Sequence, residues 1–169
     1  RIIAQSVYYF YAYFKVGNGE PLSFCVPTGN FGDIYAGYLA KKLGLPIDKL
    51  IVATNKNDIL HRAISGGDYT QKKVEETNTP SMDIQIASNF ERLLYDVKDC
   101  NSEVTKDVMS KIKNNTYKID KNDLNKIKMN FTSEMLDENE TVEMIKTIND
   151  EHQMVVDPHT AVGIGAARK

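Results

Sequence analysis

Residues Leu22 to Leu43, LSFCVPTGNFGDIYAGYLAKKL, constrain the fold more than any other stretch of this chain. An apolar run from Leu22 to Val26 stops at Pro27, the loop Thr28-Gly29-Asn30-Phe31-Gly32 follows, and Asp33 opens a helical pattern that runs to Leu43. A short continuous apolar run bounded by turn residues reads as a buried strand, and Ala36, Leu39, Ala40 and Leu43 make one stripe at helical spacing. Gly44-Leu45-Pro46 is the stop signal. Lys49 to Thr54, KLIVAT, reads as a second strand. A helix between two such strands implies a parallel pair joined by a right-handed crossover. The predicted class is therefore α/β with a parallel sheet.

The other elements follow from spacing. Arg1 to Phe14 is apolar or aromatic on nearly every side, which predicts a helix buried between layers. Gly17 to Pro21 is a turn by composition. Asp58 to Ile64 reads as a short helix with Asp58 as its first-turn anion. Gly66 to Met82 is polar loop, after which Asp83 to Ala87 alternates like a strand or enters a helix. Asn89 to Val97 is an amphipathic helix with Phe90, Leu93, Leu94 and Val97 on one face. Ser102 to Met129 predicts two helices broken near Asn114-Asn115, the second capped by Asp120 or Asn122. Asn130 to Met135 reads as a short strand, Asp137 to Glu151 as a helix with Val142, Ile145 and Ile148 inward, and Met154 to Val156 as a last strand. Ala161 to Lys169 is a helix whose small residues permit close packing.

Charge excludes some partners. With 21 basic and 23 acidic residues the net charge is −2, which gives no case for a nucleic-acid or membrane-surface partner. Val7 to Phe14 is the most apolar run, holds four tyrosines, and is far too short to span a bilayer. Arg1-Ile2-Ile3-Ala4 has neither an initiating Met nor a signal-peptide layout, and reads as the start of an internal piece. Cys25 and Cys100 are the only cysteines. Without C-x-x-C spacing they suit reduced thiols in a cytoplasmic setting, with a Cys25–Cys100 disulfide as the alternative. His61, His152 and His159 lack metal-ligand spacing. Residues 98–130 hold eight Lys and five Asp/Glu, net +3, against one Lys and seven Asp/Glu, net −6, in 131–152. These blocks could pair or simply be solvated faces.

The residues that could carry chemistry begin with Gly29-Asn30-Phe31-Gly32. The loop matches neither the G-x-G-x-x-G nor the Walker pattern. It admits two readings: a cradle of backbone N–H groups for phosphate, or a tight strand-to-helix connection with no ligand. Asp33 would repel a phosphate dianion, so in the first reading phosphate sits on the amides of Gly29 to Gly32 and Asp33 caps the helix or holds the loop from behind. Ser88 and Asn89 read as helix caps, Glu91-Arg92 as a solvated charge pair, and Asp157-Pro158-His159-Thr160 as a helix start in which His159 could act as acid or base. No Ser/His/Asp set, carboxylate pair or metal cluster is visible in the sequence.

Four strings carry a resemblance: RIIAQSVYYFYAYF, SFCVPTGNFGDIYAGYLAKKLGLPIDKLIVATNKNDIL, TPSMDIQIASNFERLL and DPHTAVG. In this order they resemble the threonine synthase family, in its fungal and enterobacterial branch, across the chain and most weakly over about 98–130. The resemblance implies an α/β fold with the parallel-sheet, three-layer core of fold-type II pyridoxal-phosphate enzymes (tryptophan synthase β-like), present in part. It implies that residues 1–169 are an internal portion of the large cofactor-binding domain, with about 98–152 as a peripheral helical insertion. It implies pyridoxal 5'-phosphate as cofactor, O-phospho-L-homoserine and water as substrates, and L-threonine and phosphate as products. The remainder of its own chain is then the expected macromolecular partner. Gly29, Asn30, Phe31, Gly32 and Asp33 match the loop that holds the cofactor phosphate, and Arg1, Gln5, Tyr8 and Tyr9 match the helix after a cofactor-contacting Asn motif. The family's Schiff-base lysine motif matches no lysine here, so no catalytic residue is assigned and the segment alone is expected to be inactive. Two other readings stay open: a threonine-synthase-like phospho-lyase acting on another phosphorylated amino acid, and a non-catalytic phosphate-binding α/β module.

Overall fold

The computed structural model of the 169-residue chain describes residues 1–115 and 117–169. Its centre is a three-stranded parallel sheet in the order β1 (Leu22–Pro27), β2 (Ile47–Thr54), β3 (Phe131–Met135). Between β1 and β2 runs α2 (Gly32–Lys42), completing the βαβ unit read from the opening stretch. Strand β2 starts earlier than the sequence implies because Ile47 pairs with Leu22 before a register shift at Phe24. Leu43 is exposed, and Gly32, Ile34, Ala36, Gly37 and Ala40 face inward instead. Ala36 and Ala40 are common to both sets, and the stripe is rotated by only about a seventh of a turn from the expected one. Small residues let α2 lie close to the layer beneath it.

Alternation along the strands divides the core. Val26, Leu50, Val52 and Phe131 point to the face packed by α1 (Ile2–Val16), α2, α3 (Ile59–Gly66) and α4 (Phe90–Val97). Ala53 and Cys25 point to the opposite face, where Val162 and Ala166 of α8 (Pro158–Arg168) meet Met82 and Leu136. Helix α8 packs as closely as its composition suggests. A side chain at Gly163 would press on the Pro27 ring, and one at Gly165 would overlap Leu136. Helix, sheet, helix makes the three-layer arrangement.

Between β2 and β3 lie α3, α4, α5 (Ser102–Lys113) and α6 (Lys121–Lys128). The break between α5 and α6 falls at Asn114-Asn115, and Asp120 is the N-cap of α6, accepting from the Asp123 backbone N–H at 3.0 Å. Lys98 bridges Asp120 and the buried Asp123, tying α4 to α6. Val108, Ile112 and Ile127 join the main core, while Val104 is exposed. Helix α7 (Glu138–His152) starts with a capping box, Asp137 and Glu140 each bonding the other's backbone N–H.

Four expectations are corrected. Asp83 to Ala87 forms neither strand nor helix: it is an irregular segment after the 3-10 turn Pro80–Met82, because its polar groups bond to loops rather than to a strand edge. Met154 to Val156 is not a strand, and Met154 and Val155 are exposed. In α7 Val142 faces solvent, and Thr141 and Ile148 are the buried positions. Helix α1 is not enclosed. It buries Ser6, Tyr9 and Tyr13 but leaves Ile3, Val7, Tyr8, Tyr11, Phe14 and Val16 exposed, since α2 covers only one side of it.

The acidic block of residues 131–152 reaches α8 through Glu151–Arg168 and Glu140–Lys169, and no ion pair among the described residues joins it to the basic block. Both cysteines are free thiols. Cys25 donates to the Gly163 carbonyl at 3.0 Å, and burial pushes its thiol up to about 11. Among the described residues, no helix is long and apolar enough to cross a membrane.

Candidate functional site

The loop from Thr28 to Asp33 leaves the C-terminal end of β1 and enters α2. Its start is pinned to the sheet, where the Thr28 backbone N–H donates to the Ala53 carbonyl at 2.8 Å. Its middle is pinned by an aromatic side chain. Phe31 adopts a left-handed backbone (φ 67, ψ 5), a conformation that costs a residue with a Cβ on the order of 1 kcal/mol or more. Its ring is 1% exposed and packs edge-on to Phe90 at 5.1 Å and against Phe131 at 5.6 Å. Burying an aromatic ring stabilises by about 2–3 kcal/mol, enough to hold that backbone. Phe31 therefore faces the core and only its backbone can face a ligand.

Asn89 fixes the other side. Its backbone N–H and side-chain amide both donate to the Asn30 carbonyl, at 3.0 and 3.1 Å, and the Arg92 guanidinium donates to its Oδ1 at 3.2 Å. The Asn30 side chain then accepts from the Gly32 N–H at 2.9 Å. A Cβ at Gly29 would overlap the Ser81 carbonyl, so the loop and the Pro80–Met82 turn touch backbone to backbone. Asn89 is not the side-chain cap of α4 that its position suggests. Arg92 bonds back to Asn89 rather than pairing with Glu91.

Held in this way, the loop turns its amides outward. The N–H groups of Gly29, Asn30 and Phe31 have no acceptor among the described residues, whereas that of Gly32 is taken by Asn30. They border a cleft of about 340 Å³ lined also by Arg1, Thr28, Asp33, Ser81 and Ile84. Unpaired amides beside a helix N-terminus attract an anion. Asp33 does not cap α2. The Tyr9 hydroxyl donates to its carbonyl and carboxylate oxygens, at 3.0 and 3.2 Å, so it ties the loop to α1. Burial first, and the Asp33 charge second, push that hydroxyl well above the usual tyrosine range.

The comparisons with known proteins give the geometry its context. No family model matches the chain. The threonine synthase of Saccharomyces cerevisiae is 44% identical over 190 residues, which cover 100% of this chain and 36% of that protein. The crystal structure of pyridoxal-phosphate-bound threonine synthase from Brucella melitensis superposes with a TM-score of 0.96 at 43% identity, covering 99% of this chain and 36% of that one. The chain is a threonine synthase homologue. It spans about a third of the length of the relatives it matches. Maize serine racemase, at 16% identity and a TM-score of 0.63, shares the fold alone. The fold is the fold-type II parallel-sheet arrangement, of which this threonine synthase homologue holds a part.

Other marked residues of the threonine synthase homologue fall in two groups. Ser81, Asn89 and Arg92 are drawn to the loop, as above. His159 is not among the cleft-lining residues. The Asp157 carboxylate caps α8, accepting from the backbone N–H of His159 and of Thr160 at 2.9 and 3.3 Å. Among the described residues, no lysine lines the cleft. Gln5, Tyr8 and Tyr9 sit on α1, and of these only Tyr9 reaches the loop, through Asp33. Sequence reading missed Asn55 and Asn57, which lie just beyond β2 and are 3% and 2% exposed. They bond Thr77, Thr79 and Asp83. Two buried asparagines at the carboxyl end of a parallel strand were the available signal.

Proposed function

We propose that the protein containing this chain is a threonine synthase that uses pyridoxal 5'-phosphate to convert O-phospho-L-homoserine and water to L-threonine and phosphate. The observation that carries the reading is the coincidence of 44% identity to a threonine synthase over the whole chain with a loop whose Gly29, Asn30 and Phe31 amides are free. In this reading Gly29, Asn30 and Phe31 donate their N–H groups to the cofactor phosphate, Gly32 and Asn30 keep the loop in shape, and Asp33 holds it to α1 through Tyr9. The residues fit the group. Gly29 is barred from carrying a side chain, and Arg1 adds a positive charge at the cleft.

When bound, the cofactor supplies an electron sink for carbanions of the amino acid substrate. This chain contributes anion binding and orientation. Residues 1–169 then form an internal portion of the large cofactor-binding domain, and about 98–152 its helical periphery, from which β3 returns to the sheet. The free thiols of Cys25 and Cys100 suit a reducing, cytoplasmic compartment.

The test is product analysis with the full-length protein. With pyridoxal phosphate and O-phospho-L-homoserine, L-threonine and inorganic phosphate should appear in equal amounts. Phosphate accompanied by a keto acid in place of threonine would replace this reading with a phospho-lyase. Neither product, with no cofactor bound, would leave a non-catalytic α/β module.

A further inference from the structure

A second layer of polar groups stands behind the loop. The Asp83 carboxylate accepts from the side-chain amides of Asn55 and Asn57, at 2.8 and 3.0 Å, and from the Thr77 hydroxyl and backbone N–H, at 2.7 and 2.9 Å. Asn55 also reaches the buried Thr79 hydroxyl at 2.8 Å. Asn57 brackets the Glu75 backbone, donating to its carbonyl at 2.8 Å and accepting from its N–H at 2.9 Å. One carboxylate thus collects the end of β2 and the segment from residue 75 to residue 83. Charge-assisted bonds of this kind are among the stronger polar contacts, and they gain from partial burial.

What this knot holds is the turn against the loop. The Met82 N–H donates to the Thr79 carbonyl at 2.9 Å and the Asp83 N–H to the Pro80 carbonyl at 3.2 Å, so the turn is set by residues the knot fixes. Met82 is buried against Ala53, Leu136, Val162 and Ala166, which anchors the far side. The crest between these anchors is Ser81, whose carbonyl meets Gly29 with no room for a Cβ. A displacement of the turn of a few tenths of an ångström is therefore passed to Gly29 as backbone movement, because nothing flexible lies between them.

We propose that Asp83 is a positioning residue for the phosphate-binding loop, acting through the Pro80–Met82 turn on the backbone of Gly29. The proposal rests on the reading of that loop as the cofactor-phosphate site. Asp83→Asn replaces one acceptor oxygen by a donor that faces other donors, so the knot opens on one side. Thr77→Val removes a single hydroxyl at nearly constant shape.

The experiment uses the full-length protein freed of cofactor and titrated with pyridoxal phosphate and, separately, with pyridoxal, which lacks the phosphate. Asp83→Asn should raise the Kd for pyridoxal phosphate about tenfold, and Thr77→Val about threefold, with the Kd for pyridoxal unchanged. Equal loss for both ligands would mean general loosening and would overturn the proposal, as would no change for either. If Asp83→Asn does not fold, Thr77→Val decides alone. Gly29→Ala separates the two levels of the argument. Should Gly29→Ala leave the preference for the phosphorylated ligand intact, the loop reading itself fails. Should Gly29→Ala abolish that preference while Asp83→Asn and Thr77→Val keep it, only the role of Asp83 fails.

Discussion

The loop from Thr28 to Asp33 and helix α1 are neighbours joined by one tyrosine, yet they are held in opposite ways. The loop has almost no regular structure, and residues far away in sequence fix it: Ala53, Ser81, Asn89, Phe90 and Phe131. Helix α1 is regular over 15 residues, and its packing partner is chiefly α2, close by in the chain. Its own backbone bonds hold its shape, while Ile3, Val7, Tyr8, Tyr11, Phe14 and Val16 stay exposed. Regularity and fixation are thus separate properties. A polar loop can be the more rigid of two neighbours when its constraints come from several layers.

The largest expected effect tests that claim at Phe31. Phe31→Ala removes the ring from the Phe90–Phe131 cluster, and truncating a fully buried phenylalanine costs about 3–5 kcal/mol. Urea unfolding should show the loss. A cost below about 1 kcal/mol would mean that the loop is held by its hydrogen bonds alone.

Next comes the layer behind that ring. Tyr69 is 2% exposed, stacks on Phe90 at 4.9 Å, and accepts the Ala87 N–H at 2.9 Å through its hydroxyl oxygen. Burial pushes its hydroxyl up to about 12, against which the Ala87 bond acts weakly. An unfolded tyrosine ionises at about 10, so between these values the native state holds a proton that the unfolded chain has lost. Stability contributed by this group is full below pH 10 and falls as pH rises towards 12, at a limiting slope of about 1.4 kcal/mol per pH unit. Tyr69→Phe should flatten the alkaline limb of the urea midpoint plotted against pH. An unchanged limb would show that Tyr69 is wetter than its packing implies.

Tyr9 is the joint between the two regions, and its removal should cost less. Tyr9→Phe deletes the hydroxyl bonded to Asp33 but keeps the ring, 5.1 Å from that of Phe24. One hydrogen bond to a charged group is worth about 1.5–3 kcal/mol. Thermal unfolding should report that loss. A larger loss would mean that the joint, and not the remote contacts, holds the loop.

How much of this was legible in the sequence follows the same division. The βαβ unit, the α5–α6 break at Asn114-Asn115 and the buried face of α4 were readable because period and turn residues act within a few positions. The loop's location was readable for the same reason. Its geometry was not, since Asn89 resembles a helix cap and Asn55 resembles any strand end until the fold brings Asn30 and Asp83 beside them. Asp83 to Ala87 alternated like a strand but has no strand edge to pair with, and polar bonds to Thr77 and Asn57 took its place. Val142 illustrates the reverse case, where helical spacing was right and the buried arc was set by the position of α8. Periodicity predicts that a face exists; only tertiary neighbours decide which face is covered.

The smallest effect is expected on the outer face of α1, where sequence reading and structure differ most. Ile3 is 77% and Val7 59% exposed, and neither joins the main core cluster. Replacing both by lysine removes two β-branched residues from a helix and adds straight-chain side chains that favour it slightly. The melting temperature of the 169-residue chain should hardly move, corresponding to a change within about 0.5 kcal/mol, while its solubility rises because a contiguous apolar patch is broken. A loss of about 2 kcal/mol or more would show that these side chains bury apolar area that one-sided packing against α2 does not provide. The contrast between a loop fixed from several layers and a helix fixed from one would then disappear.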